Sequence, residues 1–450
     1  VSWDFETEPD FQRELDWIDE FVRAEAEPLD FVIPVPQDLS DPVRRELIPP
    51  LQQIVRQRGL WACHLGPELG GQGYGQVKLA LMNEVLGRAR SAPIVFGAQA
   101  PDSGNSEILA HYGTDEQKKR WLEPLLAGEI VSCFSMTEPQ GGADPKVFRT
   151  RAEQRGGNWV INGEKWFSSN ARYASFLIVM AVTDPEAEPY QRQSMFIVPA
   201  DTPGIEFVRD VGMGGGSARS HAYLRYNDVT VPADHLLGPR GGAFAVAQTR
   251  LGGGRIHHAM RTVGLVRRSL DLLGERAVSR VTQGEPLARK QLVQQMAAES
   301  WLDLETFRLL VLRTAWKIDR YHDYRRVRAD ISAVKALMPE VLNRVASRAL
   351  QVHGSLGVSD EMPFMGYIAE SHHMGLADGP TEVHKITLGR EVLRAYSPAE
   401  DLFPSYHLPR LAQAAREKYR DVLARHGRLA GTPALADQGY GLPSNDPEVN

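Results

Sequence analysis

From about Glu8 to Gly128, apolar positions recur at helical spacing among helix-favouring residues, which predicts a helical segment. One example is Asp115-Glu-Gln-Lys-Lys-Arg-Trp-Leu-Glu-Pro-Leu-Leu, where Thr114 is placed to cap the helix and Gln117 stands three residues on. The pattern then shortens. Trp159-Val-Ile, Phe176 to Val182, Ser194 to Val198, Ile205 to Val208 and Tyr223 to Tyr226 are β-forming runs separated by Gly, Pro, Asn and Asp, and they predict a compact antiparallel β unit. After Gly241-Gly242 the helical period returns. Leu304, Phe307, Val311 and Ile318 form one apolar stripe and Val334, Leu337, Val341 and Val345 another, so long helices are expected to pack as a four-helix bundle. From roughly Arg428, Gly, Pro, Ala and Asp accumulate without period, as in a disordered or loosely docked tail. The fold class expected is α+β, with 1–130 helical, 131–240 β, 241–400 helical and 401–450 an extension.

Composition narrows the function classes. Of 450 residues 42% are hydrophobic and 24% charged, with the two signs interspersed and a net charge of -6, which argues against a nucleic-acid or anionic-membrane surface. No apolar run is long enough for a membrane span, and the acidic start Val1-Ser-Trp-Asp-Phe-Glu does not read as a leader, so a cytoplasmic protein is expected. Cys63 and Cys133 are too few for a disulfide framework or thiolate metal cage and are expected to be buried. The neighbouring pairs His257-His258 and His372-His373 lack the spacing of three or four that puts two ligands on one helix face, so no metal site is expected. Gly212-Met-Gly-Gly-Gly-Ser sits between β runs, outside any βαβ context. Both it and Gly70-Gly-Gln-Gly-Tyr-Gly read as loops and not as dinucleotide fingerprints.

Two strings in the middle of the chain carry more. Phe134-Ser-Met-Thr-Glu-Pro-Gln-Gly-Gly-Ala-Asp144 is followed by Trp159-Val-Ile-Asn-Gly-Glu-Lys-Trp-Phe-Ser168. Singly, Thr-Glu-Pro reads as a turn and Asn162-Gly163 as a hairpin. Together, in this order and spacing, they resemble the flavin-binding signatures of the acyl-CoA dehydrogenase family. A flavin ring needs a flat apolar wall, here Phe134 and Trp166, with hydroxyl and backbone donors, here Thr137 and Ser168, at its polar edge. The resemblance covers most of residues 50 to 395, including Ala100-Pro-Asp-Ser-Gly-Asn-Ser and Tyr112-Gly-Thr-Asp-Glu-Gln-Lys. It implies FAD as cofactor, an acyl-CoA substrate, an electron-transfer flavoprotein as acceptor, and a homo-oligomer, either a dimer or a dimer of dimers.

Site residues follow from the same resemblance. Phe134, Met136, Thr137, Ala143, Trp166, Phe167 and Ser168 match flavin contacts, and Ala143 also falls where the family has a serine near the thioester. Gly252, Gly253, Gly254 and Arg255 match the helix lining the acyl site; read locally, the glycines supply a helix entry. Arg280, Gln291, Gln351, Val352, His353, Gly354 and Ser355 match positions that reach a neighbouring subunit's flavin, with Arg280 a forked donor for its phosphates. In Leu376-Ala-Asp-Gly-Pro-Thr-Glu-Val-His384, Asp378 falls on the family's catalytic glutamate, Gly379 on a substrate contact, and Pro380, Thr381 and Glu382 on cofactor contacts. Locally the segment is a turn with Thr381 capping the next helix.

The resemblance implies that Asp378 removes the α-proton while a hydride leaves the β-carbon for flavin N5. The Asp378 backbone N–H and a ribityl hydroxyl would hold the thioester oxygen. Burial is expected to raise the Asp378 pKa toward working pH. Some relatives carry the base just before the matched arginine; here that position is Gly254, which cannot accept a proton. Aspartate is one methylene shorter than glutamate, so substrate or loop must shift. The combination of Asp-Gly-Pro-x-Glu-Val-His with Arg-Ile-His-His-x-Met-Arg-Thr-Val-Gly-Leu resembles a subfamily whose members can be fused to a kinase-like domain and handle 4-hydroxyacyl thioesters. An ordinary, branched or hydroxylated acyl-CoA all remain open. A nitroalkane oxidase-like flavoprotein, which also uses aspartate, and a non-catalytic flavin-binding subunit of a mixed oligomer are the alternatives. Pro339 is expected to interrupt its helix.

Overall fold

A computed structural model of the chain describes residues 5–67, 71–213, 221–399 and 402–429. Its N-terminal helices include α1 (Pro9–Phe21), α2 (Pro42–Gln57), α3 (Gly75–Leu86) and α4 (Asp102–Tyr112). Thr114 forms the expected capping box: its hydroxyl accepts from Gln117 N at 3.2 Å, while Gln117 Oε1 accepts from Thr114 N at 3.1 Å. The Gln117 amide also donates to the carbonyls of Asp234 and Leu236, which fastens this helical end to the β unit.

The β unit comprises β1 (Ser132–Ser135), β2 (Arg151–Arg155), β3 (Asn158–Ser169), β4 (Phe176–Val182), β5 (Gln193–Pro199), β6 (Ile205–Val211), β7 (His221–Pro232) and β8 (Leu236–Leu237). They form one sheet in the order β6-β7-β3-β1-β4-β5-β8, with β2 beside β3 and β4. The pairing is mainly antiparallel, as expected, but β1 runs parallel to β4, with Ser132 opposite Phe176 and Ser135 opposite Val179. β4 explains its unbroken apolar run: Phe176, Ile178 and Met180 pack toward α4 and Trp121, while Leu177, Val179 and Ala181 pack toward Trp159 and Phe196 on the other face. Asn162-Gly163 is no hairpin. β3 continues through it with a register irregularity between Ile161 and Gly163, because Gly163 lies against Thr150 Cα, 2.6 Å from where a Cβ would stand.

The C-terminal helices are α5 (Ala243–Ser279), α6 (Gln291–Tyr321), α7 (Arg328–His353), α8 (Phe364–Leu376) and α9 (Thr381–Leu393). Both predicted stripes face the core: Leu304, Phe307, Val311 and Ile318 of α6 and Val334, Val341 and Val345 of α7 are buried. Pro339 does not interrupt α7. Met338, Val341 and Leu342 beside it are fully buried, and their packing offsets the missing backbone hydrogen bond. The N- and C-terminal helices share one core, in which Leu79, Met82 and Leu86 meet Ile256, Met260 and Val263. Where α3 ends against α5, Gly264 stands 2.1 Å, at its Cβ position, from the Glu84 carbonyl, and Gly87 equally close to that of Arg261. Gly264→Ala is therefore expected to force these helices apart and destabilise the chain by about 1–3 kcal/mol, measured as a lower thermal midpoint.

The described residues from 390 onward form a separate unit in which Leu408–Lys418 and Arg420–Arg425 are helical. The tail expected to be irregular beyond Leu429, Gly70, and most of the loop that follows Gly212 lie outside the described residues. Both cysteines are buried and free. Among the described residues no helix is long and apolar enough to cross a membrane, and no group of three or more metal-ligating side chains comes together.

Candidate active site

Asp378 sits in the turn between α8 and α9, with backbone φ of 56° in the left-handed region that aspartate tolerates better than most residues. Its carbonyl is held from two directions. Arg255 Nε donates to it at 2.9 Å and His384 Nε2 at 3.3 Å. Thr381 is the first residue of α9, and its hydroxyl does not cap that helix as expected but donates back to Gly375 O at 3.1 Å, closing the turn onto α8. Gly379 adopts φ of 105°, and a Cβ there would come 3.0 Å from His384 Nε2. Pro380 accepts from Val383 N, and Glu382 points to solvent.

Facing this turn is the N-terminal half of α5. Gly252, Gly253 and Gly254 lie inside that 37-residue helix, not at an entry as their weak helix propensity suggests, because α5 is anchored at both ends by buried contacts. They thin the helix where it meets the turn: a Cβ on Gly254 would stand 3.5 Å from Asp378 Oδ2. Arg250, Gly254 and His258 are spaced by four and share a face. His258 Nε2 is 3.6 Å from Asp378 Oδ2. Lys335 of α7 is buried and donates to the Met374 carbonyl beside the turn.

The electrostatics reverse one expectation. Burial pushes the Asp378 pKa up, but His258, Arg250, Arg255 and Lys335 together outweigh it and hold the carboxyl below the ordinary aspartate value. Burial drives His258 down to about 3 despite the carboxylate beside it, so at neutral pH the imidazole is uncharged and the fixed cations keep Asp378 ionised. Lys335 is lowered to about 8 by burial, with Asp378 acting against that shift.

The matched flavin residues form a second surface. Trp166 N donates to Thr137 O at 2.8 Å, bringing the two strings into contact, and Lys165 Nζ holds the Met136 carbonyl at 2.7 Å. Trp166 and Phe167 lie side by side, ring centroids 5.3 Å apart, with Phe167 39% exposed and so open to a flat partner. Ala143 is exposed nearby in sequence, on the segment after β1. The Ser168 hydroxyl is fully buried and bonded to Ser135 Oγ at 2.9 Å, inside the sheet, so of the donors expected there the hydroxyl is already engaged. The remaining residues fit a flavin: an aromatic surface is present, and Trp166 Nε1 is buried with no partner among the described residues, a donor available to a bound group.

Arg250, which sequence reasoning missed, links the two surfaces. Its guanidinium lies 4.0 Å over the Phe134 ring, and its charge acts on Asp378. The four-residue spacing to Gly254 and His258 was the available signal; for Lys335, inside an apolar stripe, there was none. Arg280, Gln291, Gln351, Gly354 and Ser355 occupy exposed positions, and no hydrogen bond, ion pair or ring contact among the described residues joins them to Asp378. Val352 and His353 face the core instead, the His353 ring packing against Phe364 at 4.8 Å.

Comparison with known proteins agrees along the chain. Models of the N-terminal, middle and C-terminal domains of acyl-CoA dehydrogenase match residues 13–129, 133–229 and 241–393. The chain is 40% identical over 395 residues to Probable acyl-CoA dehydrogenase FadE2 of Mycobacterium tuberculosis, covering 87% of this chain and 93% of that protein. It is also 40% identical to acyl-CoA dehydrogenase family member 11 of Gallus gallus over 76% of this chain, and spans 44% of that longer protein. Butyryl-CoA dehydrogenase from Megasphaera elsdenii superposes with a TM-score of 0.75 at 25% identity, over 87% of this chain and all of that one. The chain thus belongs to the acyl-CoA dehydrogenase family of FAD-dependent oxidoreductases.

Proposed function

We propose that the chain oxidises an acyl-CoA thioester between its α and β carbons, with Asp378 taking the α-proton. One observation carries this reading: an ionised, largely buried carboxylate faces the glycine-thinned stretch of α5, and Arg250 joins it to the aromatic surface around Phe134. The chemistry FAD supplies when bound is acceptance of the hydride, and Phe134, Met136, Thr137, Trp166 and Phe167 are the residues of this chain that would hold its ring. Gly253 and Gly254 leave room for the acyl chain, and Gly254 leaves Asp378 without a competing carboxylate at that position. Arg255 and His384, by holding the Asp378 carbonyl, orient the following peptide and keep the carboxylate on the α5 side. An apolar acyl chain laid against Asp378 adds desolvation, the influence that raises its pKa and makes it a stronger base.

The exposed Arg280, Gln291, Gln351, Gly354 and Ser355 are read as contacts to the flavin of a second copy, in a dimer or dimer of dimers, with an electron-transfer flavoprotein as final acceptor. Anaerobic titration of the yellow protein with acyl-CoAs of different length, branching and hydroxylation is the test. Flavin bleaching by at least one thioester is expected; bleaching by a nitroalkane and by no thioester would overturn the proposal.

A further inference from the structure

Glu107 lies midway along α4, largely withdrawn from solvent, and no hydrogen bond among the described residues reaches its carboxyl. Its Oε2 comes 3.3 Å from the position a Cβ on Gly253 would take, one residue from the Gly254 position that faces Asp378. Two carboxyl groups from different elements thus look onto consecutive residues of α5. Arg250 is their common neighbour, since its charge acts on both. The guanidinium is held in place by a bond from Nε to Asn105 Oδ1, at 3.1 Å, and by the Phe134 ring.

The other groups around Glu107 offer it no comparable cation. His257 of α5, whose Cε1 is 3.7 Å from the same Gly253 position, is kept neutral by burial and by the neighbouring His64, Arg261 and His258. Tyr324, after α6, is an uncharged phenol whose pKa is raised by burial and by Glu107 and Asp319. Asp102, on α4 itself, is committed to Ser132 and Gln99.

We infer that Glu107 is a positioning residue for proton abstraction: when ionised, it shares the Arg250 charge and so leaves Asp378 a stronger base. The inference rests on the proposed role of Asp378 above. Burial pushes the Glu107 pKa up to about 7 against the pull of Arg250, so its charge changes within the working range. Protonated, it leaves Arg250 facing Asp378 alone, which keeps the aspartate ionised but weakly basic. As pH rises and Glu107 loses its proton, a second negative charge beside the same cation raises the proton affinity of Asp378.

Rapid-mixing flavin reduction of the FAD-loaded enzyme by a reactive acyl-CoA, followed from about pH 5.5 to 9, tests this. The parent rate is expected to rise through a limb near neutrality. Glu107→Gln should lack that limb and stay about three- to tenfold below the parent plateau, while Glu107→Asp restores a limb displaced in pH and reduced in amplitude. An unchanged limb in Glu107→Gln overturns the inference. Should Glu107→Gln fail to retain FAD, Glu107→Asp decides: a displaced limb supports the inference and an unmoved one overturns it. A flat parent profile with an inactive Asp378→Asn variant sinks this inference alone, whereas reduction at the parent rate by Asp378→Asn sinks the base assignment with it.

Discussion

Asp378→Asn is expected to slow flavin reduction by acyl-CoA about 10²–10⁴-fold while the purified protein stays yellow. The amide keeps nearly the shape of the carboxylate, and the turn is held through the Asp378 carbonyl by Arg255 and His384, so its geometry survives the substitution. What disappears is the proton acceptor. The position before Arg255 is Gly254, so no carboxylate stands there to take over, and His258, although near, is driven down to about 3 by burial and is a poor substitute. Single-turnover rates with matched FAD content measure the loss. A variant as fast as the parent would place the base elsewhere.

Lys165→Met is expected to cost about 3–5 kcal/mol of stability, because it leaves Glu138 buried without its counter-ion. The Lys165 side chain is fully buried, and its ammonium lies 2.8 Å from Glu138 Oε1 while also holding the Met136 carbonyl. Glu138 in turn accepts from Arg149 N at 2.6 Å and Thr150 N at 3.0 Å, so the pair ties the first flavin string to the second. Chemical denaturation of the parent and of Lys165→Met measures the difference, and Glu138→Gln combined with Lys165→Met should recover part of it. The pH dependence has a definite sign. Burial raises the Glu138 pKa, but Lys165 and the backbone donors outweigh it and hold the folded-state value below the ordinary one. The Glu138 contribution is therefore complete above the ordinary glutamate range and is lost as pH falls through the lower folded value, while Lys165, lowered to about 8 by burial with Glu138 acting against that shift, gives up its charge on the alkaline side.

Lys165 also marks a limit of sequence reading. It stands in Trp159-Val-Ile-Asn-Gly-Glu-Lys-Trp-Phe-Ser, where alternation along β3 turns it inward, but nothing local says that Glu138, 27 residues earlier, will meet it there. The Ser168 hydroxyl is a related case. A hydroxyl next to Trp166 and Phe167 suits a flavin edge, yet the side chain turns into the sheet to meet Ser135, which itself bonds Tyr226. Pro339 and the three glycines of α5 weaken helices in isolation, and only the packing of neighbouring elements carries those helices through.

Periodicity alone determined the helical, β, helical order, the two apolar stripes of α6 and α7 and the Thr114 capping box, since each depends on residues a few positions apart. The ordered motif strings then led to the family and singled out Asp378. Tertiary structure decided what surrounds that carboxylate. Arg250 and Arg255 come from one helix and Lys335 from another far along the chain, and their summed charges, acting against burial, hold Asp378 ionised, while Glu107 from a third helix faces the same Arg250. Electrostatic energy depends on distances through space, and those exist only once the helices have packed.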